Sequence, residues 1–197
     1  MEIRDVCFPS DSRDLRQLIH EYVDWLGIDL SYQDFDGEMA SLETLFSLPS
    51  GQYTFAVVGS EIAGGVGFRK IDVHTAEVKR LYVRPDHQGK DIGWSLMTNL
   101  VQKLKGLGYE RLVLDAVPPT RKAQALYARM GFTEIPPYFH NPVPDTKFYE
   151  FDLRDHGLEQ SYCQIWCMTI KRRLCQVDHP PVLHPETERC SRPASVG

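Results

Sequence analysis

The sequence predicts an α/β fold, a mixed sheet with helices on its faces, and three observations carry this prediction. Apolar runs typical of strands alternate with apolar repeats at the three- and four-residue spacing of helices along residues 1–153. Hydrophobic residues make up 42% and charged residues 25%, the proportions of a globular protein. A chain of 197 residues is long enough for one such domain. A fibrous or wholly disordered protein is excluded.

The first half of the chain is expected to form four strands and two helices. Asp11 is the expected N-cap of the first helix and Gly27 its end, and the second helix stops before Pro49. Gly59 and Ser60 predict the turn of a hairpin between two strands. The predicted strands cover 2–6, 53–58, 62–71 and 76–83, and the predicted helices cover 12–26 and about 36–48.

The second half of the chain is expected to form two helices and three strands. Ile92, Leu96 and Leu100 repeat every four residues, which indicates an amphipathic helix. Gly106 ends this helix and Gly131 ends the next one. The predicted helices cover 92–105 and 121–130, and the predicted strands cover 111–117, 132–135 and 147–153.

The pattern of helices and strands ends after Leu153. A domain at 1–154 and a poorly ordered C-terminal extension at 155–197 are therefore predicted. The extension holds four of the five cysteines, and because their spacing fits no structural zinc pattern, no metal site is predicted. The charged N-terminus lacks an apolar signal segment, so a cytoplasmic protein without a disulfide framework is expected.

The charges are distributed unevenly along the chain. The formal net charge is −5 and no apolar stretch is long enough to span a bilayer, so neither nucleic acid nor a membrane is an expected partner. Residues 79–129 hold 10 Lys and Arg against 4 Asp and Glu, which suits an anionic ligand. Residues 1–78 hold 5 against 14, and Asp34, Asp36 and Glu38 there either attract a cationic amine or form a solvated face.

Residues 78–94 form a strand, a short loop and the start of a helix, which together predict an anion site. The first N–H groups of a helix lack intrahelical acceptors and lie at the positive end of its dipole. Gly89 and Gly93 allow close approach of a ligand to the backbone, and Lys90 adds a cation. The loop is neither a P-loop nor a dinucleotide fingerprint. A plain tight connection is the alternative.

Three segments resemble the GCN5-related N-acetyltransferase (GNAT) superfamily. They are Val78 to Pro85, the loop Gln88-Gly89-Lys90-Asp91-Ile92-Gly93, and Ala125 to Phe132 with its L-Y-x-x-x-G-F signature. Their order and separation match those of the family, in which the second segment corresponds to the acetyl-CoA loop and the third to the L-Y-x-x-x-G-F signature. Residues 135–142 look like the final segment of a bacterial-type small-molecule branch. The resemblance covers about 1–153.

This resemblance implies a GNAT fold, with a mostly antiparallel central sheet and helices on both faces, and acetyl-CoA as the acetyl-donating cosubstrate. The implied contacts with the acetyl and pantetheine arm come from the end of the predicted strand at 76–83, and those with the pyrophosphate come from the loop at 88–93. The implied cofactor-binding residues are Leu81, Tyr82, Val83, Gln88, Gly89, Lys90, Asp91, Ile92, Gly93, Trp94, Ala123 and Tyr127.

Asp91 stands where the family has glycine. Aspartate tolerates unusual backbone angles, so the loop conformation is expected to survive. The carboxylate either points outward, caps the helix, or lies near the pyrophosphate, where like charges at intermediate dielectric repel by about 1 kcal/mol or more. Weaker acetyl-CoA binding is the expected consequence.

The expected reaction needs a base and a proton donor. An alkylammonium has a pKa of about 10 and must lose a proton before it attacks a thioester. By resemblance Glu77 is the candidate base, acting through water, and Tyr127 the candidate acid that protonates or hydrogen-bonds the departing thiolate. Backbone N–H groups near Leu81 are candidates for polarising the carbonyl. The alternatives are a solvated carboxylate at Glu77 and a core aromatic ring at Tyr127.

The predicted function is acetyl transfer from acetyl-CoA to a primary amine of a small molecule, by direct attack in a ternary complex. The alternative is a degenerate acetyl-CoA-binding or regulatory module without turnover. The expected partner is the small-molecule amine, and a homodimer is compatible with exposed sheet edges.

Overall fold

The computed structural model describes residues 1–30 and 34–154, which form seven strands and five helices. The predicted extension at 155–197 lies outside the described residues. The strands are β1 (Glu2–Asp5), β2 (Gly51–Val58), β3 (Glu61–Lys70), β4 (Thr75–Val83), β5 (Arg111–Ala116), β6 (Thr133–Ile135) and β7 (Lys147–Asp152). The helices are α1 (Ser12–Leu26), α2 (Phe35–Ala40), α3 (Leu42–Leu45), α4 (Ile92–Gly106) and α5 (Arg121–Met130).

The strands form one sheet in the order β1-β2-β3-β4-β5-β7-β6. Every neighbouring pair is antiparallel except β4 and β5, which are parallel. The predicted mixed and mostly antiparallel sheet is therefore confirmed. Among the described residues, no helix has the length and apolar character that crossing a membrane requires.

Helices cover the sheet because each strand presents alternate side chains to its two faces. The apolar side of α1 packs through Leu15, Leu18 and Ile19 into a core with Tyr53 and Phe55 of β2. Helix α4 packs on β2, β3 and β4 and buries its four-residue repeat. The amphipathic patterns that predicted these two helices therefore correspond to buried stripes.

Strand β4 contains a bulge that changes the direction of its backbone. Gly67 pairs with Lys79 and Gly65 pairs with Tyr82, so two residues of β4 stand opposite one residue of β3. Arg80 lies in the bulge with φ of 55°, a left-handed conformation that non-glycine residues rarely adopt. The bulge lies next to the point where β4 and β5 part.

Two details of the sequence prediction are wrong. The helix expected at 36–48 is two short helices that meet at Ser41, where the hydroxyl donates to the carbonyl of Gly37 at 2.6 Å and competes with regular helix bonding. Asp11 stands at the N-cap of α1, but its carboxylate does not cap the helix. It accepts instead from Arg4 Nη1 at 2.6 Å and from the Cys7 amide at 2.8 Å.

Candidate functional site

A gap opens between β4 and β5 at the centre of the sheet. Their ladder pairs run from Thr75 with Arg111 to Glu77 with Val113, and within the described residues no later pair joins the two strands. The backbone edge of β4 from Val78 to Val83 therefore faces the gap without a strand partner. A cavity of about 50 Å³ occupies the gap, with Leu81, Ala123 and Tyr127 in its wall beside Lys79, Arg80 and Asp115.

The loop between β4 and α4, where the anion site is predicted, contains two residues with left-handed backbone conformations. Gly89 has φ of 73° and Asp91 has φ of 55°, so two left-handed residues turn the chain into the first turn of α4. The expectation that aspartate keeps this loop conformation is therefore met. The carboxylate of Asp91 makes no capping hydrogen bond and the residue is exposed, so the capping alternative for its side chain is wrong.

Side chains of the loop connect it to β4 and α5. Gln88 donates from Nε2 to the Val83 carbonyl at 3.0 Å and accepts from Lys122 Nζ at 2.9 Å. Lys90 donates to the Asp86 carbonyl at 2.9 Å. Gln88 thereby fixes the end of the open strand edge against the loop and holds a second cation, Lys122, beside it.

Of the remaining predicted cofactor residues, Tyr82 and Ile92 have buried side chains, and Gly93 and Trp94 lie in the first turn of α4. Tyr82 packs on the rings of Tyr22 and Trp25, with centroids 5.9 and 6.0 Å apart, so its side chain belongs to the α1 core and only its backbone remains for a ligand. Ile92 is buried. Gly93 and Trp94 lie in the first turn of α4, and the Arg129 guanidinium stacks 4.8 Å from the centroid of the Trp94 ring.

Glu77 is a buried and fully partnered carboxylate, so the solvated alternative is wrong. Its side chain has 0% exposure, and Oε2 meets Arg69 Nε at 2.5 Å and Lys79 Nζ at 3.2 Å. Oε1 accepts from the Tyr138 hydroxyl at 2.8 Å. Burial opposes ionisation, but the charges of Lys79 and Arg69 and the bond from Tyr138 outweigh it and lower the pKa of Glu77. The group is held ionised.

Tyr127 lies in the wall of the gap and is buried against the rings of Phe132 and Tyr149. Burial raises the pKa of its hydroxyl far above the usual value, with smaller contributions from nearby groups such as Asp115. The hydroxyl therefore keeps its proton at any physiological pH. The interpretation of Tyr127 as a buried aromatic ring is confirmed, and its role as a proton donor stays a prediction.

A second carboxylate, Asp115, faces the gap and was missed from the sequence. Burial raises its pKa, the charge of Lys79 opposes that rise, and the charge of Glu77 adds to it. Its Oδ2 accepts from Asn141 Nδ2 at 2.9 Å. The signal for it was a charged residue inside the apolar run of β5. Asn141 and Tyr138 lie in one segment before β7, so this segment supplies a partner to each of the two carboxylates.

The acidic residues at the start of α2 have different surroundings. Glu38 accepts two hydrogen bonds from Arg80, at 3.0 Å from Nε and 2.5 Å from Nη2, and both side chains are nearly buried. Arg80 also lies over the rings of Tyr22 and Phe35. Glu38 therefore holds the bulge of β4. Asp34 lines a second cavity of about 380 Å³, which also contacts Gly37, Ser41, Arg69 and Lys79.

Lys79 connects the two cavities because its side chain lines both. It stands two residues after Glu77 on the same face of β4, and Arg69 faces Glu77 across the β3–β4 ladder. The spacing of Glu77 and Lys79 was visible in the sequence. The partnership of Glu77 with Arg69 depends on the register of β3 and β4, so it could not be predicted from the sequence.

Comparisons with known proteins identify the family of the chain. The model of the acetyltransferase (GNAT) family matches residues 17–132. An uncharacterized N-acetyltransferase of Schizosaccharomyces pombe is 32% identical over 159 residues, which cover 78% of this chain and 95% of that protein. The chain belongs to the GNAT family of acetyltransferases.

Solved structures of low sequence identity share the fold. A GNAT acetyltransferase of Staphylococcus aureus has a TM-score of 0.65 at 21% identity, covering 78% of this chain and 100% of that one. An acetyltransferase of Salmonella typhimurium, solved with its cofactor acetyl-CoA, has a TM-score of 0.60 at 20% identity, covering 79% of this chain and 95% of that one. The GNAT fold predicted from the three sequence segments is confirmed.

Proposed function

We propose that this protein transfers the acetyl group of acetyl-CoA to a primary amine of a small molecule by direct attack. The observation that carries the proposal is the open edge of β4 from Val78 to Val83, which borders a gap with a buried tyrosine in its wall. An extended, amide-containing ligand gains affinity by pairing with such an edge. The amides of pantetheine suit this mode of binding.

The loop before α4 fits the phosphates of this cosubstrate. It leads into the first turn of α4, where the helix dipole is positive and the first N–H groups lack intrahelical acceptors, and Lys90 and Lys122 lie within it and beside it. A Cβ added at Gly93 would meet only ordinary contacts, at 3.5 Å from Leu126 Cδ2. Packing within the protein therefore does not require this glycine, and close approach of a ligand to the first turn of α4 accounts for it.

The gap itself must widen for the pantetheine arm. Its volume of about 50 Å³ is far below the roughly 300 Å³ at which sites for small-molecule ligands begin. The side chains of Leu26 and Leu30 form part of its wall from the α1 side. We expect these two side chains to move when the cosubstrate binds. Acetyl-CoA supplies the activated acetyl thioester.

Glu77 is the proposed base, reached through water, and Asp115 is the second candidate. The base takes a proton from the ammonium, the free amine attacks the acetyl carbonyl carbon, and the carbon–sulfur bond breaks. Glu77 is ionised but held by three donors, which makes it a weak base. Asp115 lines the gap and has a raised pKa, which brings a carboxylate closer to the optimum for proton transfer near neutral pH.

Tyr127 is the proposed donor to the departing thiolate. Because burial raises the pKa of its hydroxyl, a hydrogen bond to the sulfur is favoured over complete proton transfer. The small size of the acceptor is supported by the second cavity, whose volume of about 380 Å³ suits a metabolite-sized molecule.

Isothermal titration with acetyl-CoA and with CoA tests the proposal, followed by an amine panel monitored through thiol release. We expect one-to-one binding in the micromolar range and turnover with at least one amine. Binding without turnover on any amine would favour the alternative, a cofactor-binding module. An absence of binding at millimolar acetyl-CoA would overturn the proposed function.

A further inference from the structure

The second cavity lies on the face of the sheet that α2 and α3 cover. Its walls come from α2 on one side and from Arg69 of β3 and Lys79 of β4 on the other. Since Lys79 also lines the gap between β4 and β5, a molecule in this cavity reaches the site of acetyl transfer along the Lys79 side chain. If acetyl transfer takes place at the gap, the residues of this cavity are placed to select the amine.

The sheet wall of the cavity carries more positive than negative charge. Arg69 and Lys79 both meet the same oxygen of Glu77, at 2.5 and 3.2 Å, and the other oxygen is taken by the hydroxyl of Tyr138. Glu77 is thus the one carboxylate in contact with both cations, and Asp115 acts on Lys79 from the side of the gap. Lys79 is only 11% exposed, and a buried ammonium is costly unless its charge is balanced. A second anion at this wall would balance it.

The guanidinium of Arg69 has donors left for such an anion. It carries five N–H groups, and in the part of the chain that the structure describes only Nε donates a hydrogen bond, to Glu77. The side chain is 47% exposed and lines the cavity. Its two terminal nitrogens have the planar geometry that binds a carboxylate through two parallel bonds.

The helix wall has the opposite character. Glu38 is occupied by Arg80, so Asp34 remains as the carboxylate that lines the cavity without a charged partner among the described residues. A cavity with a cationic sheet wall and an acidic helix wall fits a molecule that bears both an anionic and a cationic or amine group. Amino acids are the simplest molecules of this class.

We propose that the acceptor is an amine that also carries a carboxylate, as amino acids do, and that Arg69 and Lys79 bind this carboxylate. This inference rests on the proposed acetyl transfer and specifies its acceptor. With the carboxylate held at the sheet wall, the ammonium of the same molecule faces Asp34 across the cavity, and the amine reaches the gap past Lys79 once it has lost its proton. The ammonium of Lys79 disfavours the protonated form of that amine at the gap and so assists attack.

The test compares acceptors that differ only in the carboxylate. L-amino acids of each side-chain class and their carboxamides are assayed for thiol release from acetyl-CoA with the full-length protein. We expect at least one amino acid to exceed its carboxamide in kcat/KM by about tenfold or more, the effect of a charge-assisted bidentate contact. The amine of a carboxamide is less basic, which favours it in this comparison and makes the test stringent.

Arg69→Gln and Arg111→Gln form a matched pair of variants. Arg111 is 46% exposed and pairs with Glu150, as Arg69 is 47% exposed and pairs with Glu77, but Arg111 lines neither cavity. Arg69→Gln should lower the ratio of kcat/KM between acid and amide several-fold, and the contact with Lys79 accounts for any preference that remains. Arg111→Gln should leave this ratio unchanged. A general effect of Arg69 on Glu77 would lower both rates equally and leave the ratio intact.

The outcomes separate this inference from the proposed function. Acetyl-CoA binding without any acid exceeding its amide overturns the carboxylate site alone. A preference for acids that Arg69→Gln leaves undiminished also overturns it, because the contact would then lie elsewhere. An absence of acetyl-CoA binding overturns both proposals.

Discussion

The two halves of β4 have different surroundings although the strand is continuous. From Thr75 to Glu77 it pairs with β3 on one side and β5 on the other, and its carboxylate is locked by three donors. From Val78 to Val83 it pairs with β3 alone and contains the bulge at Arg80. The paired half therefore fixes charged groups, and the open half leaves backbone for a ligand.

The difference shows how one strand can serve two substrates. The paired half holds Glu77, whose partners Arg69 and Lys79 line the cavity proposed for the amine, and the open half borders the gap proposed for acetyl-CoA. Lys79 stands at the boundary and lines both cavities. The parting of two parallel strands after three pairs is thus the feature on which the site depends.

Removing the charge of Glu77, in the paired half of β4, should have the largest effect on activity. Glu77→Gln is expected to lower kcat by about 10²–10⁴-fold, the usual contribution of a general base, and to leave the KM for acetyl-CoA within about twofold. Asp115→Asn tests the second candidate in the same assay. Glu150→Gln, on β7 and outside both cavities, is the control.

The pH profile of kcat distinguishes the two carboxylates. Only an ionised carboxylate accepts a proton, so activity falls as the pH drops through the pKa of the base. The pKa of Glu77 is lowered from 4.5, despite burial, by Lys79 and Arg69, which places its acid limb below that value. The pKa of Asp115 is raised by burial from 3.8, which places its limb higher. A limb that Asp115→Asn abolishes would assign the base to Asp115.

Glu38 supports the bulge in the open half of β4, and removing its charge should lower the free energy of unfolding. Glu38→Gln leaves the Arg80 guanidinium, whose side chain is 4% exposed, without its counter-charge. Breaking a buried ion pair in this way costs about 3–5 kcal/mol, measured as the free energy of unfolding in urea. Glu134→Gln breaks the exposed pair with Lys147 and should leave the unfolding midpoint unchanged. Equal midpoints for both variants would show that the bulge does not need Glu38.

Asp115 should limit the stability of the protein at neutral pH. A carboxyl whose pKa is raised in the folded state stabilises the fold only when protonated, and this contribution is lost as the pH rises through the folded pKa. Asp115→Asn should therefore raise the melting temperature at pH 7. The difference should shrink as the pH approaches 3.8, where the aspartate becomes protonated in both states. A melting temperature that falls at pH 7 would contradict the prediction.

The smallest effect is expected from a substitution at Asp91, in the loop between β4 and α4. Asp91→Gly removes a negative charge near the proposed phosphate site and a side chain from a left-handed backbone position with φ of 55°. Acetyl-CoA affinity should rise by a few-fold, within the tenfold that about 1.4 kcal/mol provides, and kcat should not change. Isothermal titration measures the first and thiol release the second. Unchanged affinity would mean that the Asp91 carboxylate lies away from the phosphates.

The residues proposed to bind the cofactor could be named from the sequence because the signals for them are local. Gln88 to Gly93 form one turn of chain, and Leu126 to Phe132 are one helix end, so their residue types and spacing carry the resemblance directly. The elements around them were predicted within a few residues. The second helix was an exception, because the hydroxyl of Ser41 divides it.

The sequence by itself determined the order of the elements, the loop before α4 and the family, because periodicity and turn residues act over a few positions. Only the tertiary structure decided the surroundings of Glu77, whose partners Arg69 and Tyr138 lie 8 and 61 positions away. It also decided that Glu38 supports Arg80 across 42 positions. Strand register and the packing of distant segments bring such groups together, and in a low-dielectric interior their charges then set one another's ionisation.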